Sequence, residues 1–130
     1  MKWITVLLTY FFSNQSSPLG TYIGSKTVFG ETVNAAINVK DTEKLDFSIS
    51  GDFVLNCKDE YYSYADGKIV LDDLEIVGDC AHDALVDNQI TLKDILFDQT
   101  LNQITVSVKY SIMTLDILMI PNDNAWIFMR

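Results

Sequence analysis

"YYSYADGKIVL" (residues 61–71) sets Asp66-Gly67 between two runs of strand-forming residues. Asp-Gly in that position marks a two-residue hairpin, because both central residues of such a turn must tolerate positive φ. Outward from it the chain keeps a period of two. "ETVNAAINVK" (31–40) puts Val33, Ala35, Ile37 and Val39 on one face, "KLDFSIS" (44–50) puts Leu45, Phe47 and Ile49, and "DFVLNC" (52–57) puts Phe53, Leu55 and Cys57. "NQITVSVKY" (102–110) alternates Ile104, Val106, Val108 and Tyr110 with Thr105, Ser107 and Lys109. Alternation of this kind means strands with one wet face, hence an antiparallel sheet. Further turn signals lie at Gly30, in "KDTEK" (40–44) and at Gly51-Asp52. Crossover helices would need more chain between strands than these turns leave. The sequence therefore predicts an all-β fold, an antiparallel up-and-down meander of about eight strands. Closing into a barrel is how so many strands best avoid exposed edges.

Two segments depart from simple alternation. "GDCAHDALVDN" (78–88) has no two-residue period; Asp79 can cap a short helix carrying Ala81, Ala84 and Leu85, which Asn88 would end. That places one short helix before the last strands. From Ile104 to Ile112 the apolar residues sit at even positions, and from Met113 to Met119 at odd ones, without Gly or Pro between. A β-bulge or a change of sheet produces such a flip, and the last strand is long for a flat one, so a bend near Ile112 is expected.

Asn-Gln-Ile-Thr occurs at 88–91 and again at 102–105. In each copy a polar pair that tolerates turn geometry leads into a β-branched pair suited to a pleated surface. The repetition reads as the start of two strands rather than as a binding motif used twice.

The 130 residues suffice for one domain. Formal net charge is −9, the only arginine is Arg130, and the lysines are scattered. Nucleic acid and anionic membrane surfaces need clustered cations, so neither is expected as a partner; the acidity reads as solubility. "WITVLLTYFF" (3–12) follows Met1-Lys2 and precedes polar "SNQSSP". A run this short does not span a bilayer and fits the apolar region of a secretion signal; a buried first strand is the competing reading. Residues 1–17 are thus expected as a leader and 18–130 as a single barrel domain, secreted and with no membrane span once mature. Cys57 and Cys80 are then expected to form a disulfide, with two buried free thiols as the alternative.

Little in the sequence carries reaction chemistry. His82 is the lone histidine, and Cys80, two positions away on a helix, points to a different side. Asp79, Asp83 and Asp87 lack the spacing of a calcium loop, and zinc lacks ligands. The six glycines stand singly, so no phosphate loop is present. No enzyme activity, metal or cofactor is expected. "EYYSY" (60–64) is the most suggestive cluster, since tyrosines at a barrel mouth line pockets or meet proteins, although they also form ordinary strands.

The opening Gly20-Thr21-Tyr22 followed by a hairpin meander resembles the calycins, the lipocalins and their relatives, with Tyr22 where that family has tryptophan. The resemblance implies an eight-stranded barrel enclosing an apolar ligand. Candidate ligand-binding residues are Ala35, Ile37, Phe47, Phe53, Leu55, Tyr62, Tyr64, Val106, Val108 and Tyr110, with an opening expected near Tyr61–Tyr64. The expected function is a secreted carrier of a small apolar ligand. The alternative is a secreted interaction module that meets a protein partner through its loops.

Overall fold

Eight antiparallel strands follow one another in chain order around a closed ring. They are β1 (Gly20–Val28), β2 (Glu31–Val39), β3 (Lys44–Ser50), β4 (Val54–Ala65), β5 (Lys68–Leu71), β6 (Ile90–Asp98), β7 (Gln103–Tyr110) and β8 (Met113–Pro121). One helix, α1 (Cys80–Asp87), lies between β5 and β6. The structure is a computed structural model and describes residues 17–51 and 54–122. All of the expected leader but Ser17, together with Phe53 and the apolar "AWIFMR" (125–130), lies outside the described residues. The all-β barrel with a short helix before its last strands is the fold that the alternation and turn signals required.

The turns explain the order. Asp66 and Gly67 both have positive φ (53° and 79°), and so do Phe29 and Gly30 (53° and 82°), giving two tight hairpins whose twist matches their strands. Between β7 and β8 the structure corrects the sequence reading. Residues 104–120 are not one bent strand; Ser111-Ile112 forms a two-residue turn with Ser111 at φ 58°, and Tyr110 pairs with Met113. A serine at a positive-φ position gave no Gly or Pro signal, so a reversal looked like a phase flip. The duplicated Asn-Gln pairs each hold one left-handed residue, Gln89 (φ 56°) directly before β6 and Asn102 (φ 53°) directly before β7.

Two bulges set which side chains face inward. Leu45 pairs with Glu60 but Phe47 with Cys57, so β4 carries one extra residue opposite Asp46. The inward set on β4 therefore changes from Leu55 and Cys57 to Glu60 and Tyr62. An equivalent shift between Leu92 and Asp94 changes β6 from Ile90 to Ile95 and Phe97. Both are the expected effect of an inserted residue on a two-residue period.

The ring closes where β1 meets β8, among the described residues through two pairs, Tyr22↔Pro121 and Ile23↔Ile120, extended by the Asn122 amide donating to Thr21 O at 2.8 Å. A second thin place is β5, whose four residues meet β6 only at Lys68↔Leu96 and Ile69↔Ile95. Between the first halves of β4 and β6 the wall thus lacks a strand. Helix α1 covers that gap, burying Ala81 and Leu85, and the Cys57–Cys80 disulfide (Cα–Cα 5.7 Å) fixes it to β4. The expected bridge is formed, at a separation ordinary for disulfides.

Candidate functional site

The barrel has two rims, one holding Gly20 and Pro121, the other holding the Phe29-Gly30 and Ser111-Ile112 turns. Its centre is filled by its own side chains, among them Tyr22, Ile37, Phe47, Ile95, Ile117 and Met119, each less than 2 % exposed. Eight-stranded barrels are just wide enough for such filling. Tyr22 anchors the Gly20 rim: its hydroxyl donates to Asn102 Oδ1 at 2.7 Å and its ring meets Phe97 edge-on at 6.2 Å.

Space remains at the Phe29 rim. There the β1–β2 turn, the end of β3, the start of β6 and the β7–β8 hairpin surround an apolar pocket of about 120 Å³. Its walls are Val28, Phe29, Val33, Ile49, Ile90, Val108, Tyr110, Met113 and Leu115, with Glu31 and Thr32 as polar members. The pocket follows from the short β1–β8 pairing, which leaves the two strands unbonded toward this end. Phe29 and Ile112, at the tips of the two flanking turns, are 88 % and 94 % exposed.

The expected ligand-binding residues divide accordingly. Ile37, Phe47, Leu55 and Val106 lie in the closed core, as does Ala35, and none of these borders the rim pocket. Val108 and Tyr110 do border it. Tyr110 was expected on the inward face but is more than one-third exposed, because it is the last residue of β7, next to the turn. Phe53 lies outside the described residues.

The tyrosine strand does not frame this pocket. Tyr61 to Tyr64 pair toward Lys44 and β5, away from the Phe29 rim. Tyr62 is buried and donates its hydroxyl to the Asp41 carbonyl at 2.6 Å; burial and the Asp41 charge hold its phenol above the usual range. Tyr64 is half-buried and packs edge-on against Phe97. Tyr61 faces outward beneath the Lys44 ammonium, 5.4 Å from its ring centroid. Sequence reasoning missed Phe29, Ile90, Met113 and Leu115 as pocket members. Leu115 stood out as an alternating apolar residue, but alternation reports a face and not a height along the barrel.

A second feature lies beneath α1. Glu60 is the one buried charged residue among those described, at 7 % exposure. Its Oε1 accepts from the Ala81 amide at 3.3 Å, and Asp79 Oδ2 accepts from the same amide at 3.1 Å. Burial first, then the hydrogen bond and charge of Asp79, push the Glu60 carboxyl up to about 7. Among the described residues no ion pair engages either acid, and no cluster of three or more His, Cys, Asp or Glu could hold a metal ion.

No protein-family model, curated protein or solved structure matches the chain. The closed eight-stranded antiparallel barrel is compatible with a calycin-like fold. No described helix is long and apolar enough to cross a membrane.

Proposed function

We propose that the protein is an extracellular, non-enzymatic binding module of calycin-like plan that takes the compact apolar end of a small ligand into the Phe29-rim pocket. The observation that carries this reading is the pocket itself, an apolar space of about 120 Å³ in a barrel otherwise filled by its own side chains. The disulfide fits an oxidising compartment, and the apolar N-terminal run fits a leader. Gly20-Thr21-Tyr22 at the start of β1 supports the calycin kinship; α1 lying before β6 departs from that plan.

Size narrows the ligand class. Pockets for drug-sized ligands run to about 300 Å³ or more, whereas an apolar cavity of about 150 Å³ accommodates benzene. A single ring or a short alkyl end fits; a whole fatty acid inside the barrel does not. The Glu31 carboxylate at the pocket and the net charge of −9 favour a neutral ligand over an anionic one.

Toluene and hexanol, titrated against methyl-labelled protein, test this. Expected are shifts at Val33, Val108 and Leu115 with dissociation constants of about 0.1–1 mM, equivalent to about −4 to −5.5 kcal/mol. Val33→Phe should abolish them while preserving the fold. No shift at saturating probe would sink the carrier reading. It would favour the alternative, in which exposed Phe29 and Ile112 form a protein-contact rim.

A further inference from the structure

The missing strand between β4 and β6 is covered rather than bonded. Beside the short β5–β6 pairing, on the outer face of the wall, lies an open groove of about 150 Å³, bordered by Val70, Leu71, Leu92, Lys68 and Lys93 and, from the covering segment, by Leu74. The cover is the segment 72–79 together with the first turn of α1. At its start Asp72 N donates to Tyr61 O at 2.9 Å and Ser63 Oγ to Asp72 Oδ1 at 2.6 Å, and Ile76 N and Asp79 N close turns within it. Beyond these its bonds run to α1, where Leu74 O meets His82 Nδ1 at 2.7 Å, Gly78 N donates to Asp83 Oδ1 at 3.1 Å, and Asp79 caps Ala81 and His82. Gly78, at φ 98°, sits immediately before that cap.

Beneath the cap the geometry is unusual. The β4 bulge turns Glu60 inward, so that its carboxylate and that of Asp79 compete for one Ala81 amide. Asp73, on the covering segment, adds a third negative charge facing Glu60. Across the sheet, Leu45 of β3 offers no charge. On α1, His82 and Asp83 are engaged with backbone as described. On β4, Asp59 is paired with Lys40, and Tyr62 donates to Asp41 O. On β6, Asp94 pairs with Lys68. No described cation thus forms an ion pair with Glu60 or Asp79.

We infer that residues 72–79 and the α1 N-terminus form a pH-gated flap beside the β5–β6 seam, closed while the Glu60 carboxyl is protonated and loosened when it is ionised. The raised Glu60 carboxyl places the transition near neutrality. Because the Cys57–Cys80 disulfide ties the first residue of α1 to the wall, loosening moves Leu74 and widens the groove without releasing the helix. The flap works independently of the rim pocket, and opening it would give lateral access to the barrel wall.

Amide hydrogen exchange at Asp79, Ala81, His82 and Asp83, corrected for the intrinsic pH dependence, tests the inference on the full chain. Expected is a rise in local opening of about tenfold between pH 6 and 8, as follows when the Glu60 carboxyl stands at about 7 closed and 4.5 open. Glu60→Gln, which still accepts from Ala81 N, should stay flat over that interval. His82→Asn should keep the rise, assigning it to the carboxyls rather than the imidazole. Should Glu60→Gln fail to fold, the carboxyl-carbon titration of Glu60 in the unaltered protein replaces it, with a midpoint near 7 expected. Flat opening in the unaltered protein, a rise that persists in Glu60→Gln or vanishes in His82→Asn, or a Glu60 midpoint below 5 would each overturn the inference.

Discussion

The Asp59 amide donates to the Asp46 carboxylate at 2.9 Å across the β4 bulge, with Asp59 itself in left-handed backbone at φ 57°. Lys40 reaches both acids, at 3.1 Å and 2.8 Å. This stitch holds the extra residue in place, and through it the inward aim of both Cys57 and Glu60. Asp46→Ala should cost about 1–2 kcal/mol, the usual range for a hydrogen bond to a charged acceptor at a partly covered site. Lys40→Met should cost much less, since exposed ion pairs are weak and screened by salt. Urea unfolding of the two variants checks the order.

Gly24 tests the ring closure. A Cβ there would stand 2.1 Å from Leu118 O, a backbone atom that cannot step aside without parting β1 from β8. Gly24→Ala should destabilise by about 2 kcal/mol or more, the scale of overpacking a tight contact. Gly51→Ala, whose nearest neighbour would be 3.4 Å away, should be nearly neutral by the same thermal-melt measurement.

Removing the disulfide should lower stability by about 3 kcal/mol, from the loop-closure entropy of its 23-residue separation. Cys57→Ala/Cys80→Ala should retain the strand signal in circular dichroism while losing exchange protection in α1, because only the helix depends on that bond for its place.

Stability should peak near pH 4–5. Glu60 is raised in the folded state from 4.5 to about 7, so the folded chain binds more protons across that interval. Stability therefore falls as pH rises through it, by up to about 3 kcal/mol, and levels off above. On the acid side, Asp41, held down by the Glu43 and Lys44 amides, and Asp46, by the Asp59 amide and Lys40, lie below 3.8. Their contribution is present above that value and lost as pH falls through their lowered pKa values. Glu60→Gln should flatten the alkaline limb and leave the acid limb unchanged.

The strands were legible because Ile37, Phe47, Leu55, Val106 and Ile117 each repeat at two-residue spacing, and Asp66-Gly67 marks its turn by chemistry alone. The disulfide was legible from compartment and number. The rim pocket was not: Phe29 sits at a turn tip, where no periodicity applies, and Tyr110 reads as inward until its place beside a glycine-free turn is known. Glu60 was hidden for a related reason. Its burial depends on a left-handed Asp59, and nothing local in "KDEYY" (58–62) announces a bulge except that Cys57 and Tyr62 are out of phase.

The two-pair contact between β1 and β8 also bears on how the molecule comes together. The other seven strand contacts join neighbours in chain order, six of them across short connections and β5–β6 across the segment that carries α1, so the hairpins can form as soon as their turns do. Joining Tyr22 to Pro121 must bring the two ends of the meander together, at the highest loop-closure cost in the fold, for a reward that includes a proline lacking an amide donor. Closure is therefore expected to be the late, slow event of assembly. Until it occurs, β1 and β8 present open edges, and a neighbouring chain's first hairpin can occupy the place meant for its own. Exchange-linked dimers, when they form at high concentration during refolding, should be joined at this contact.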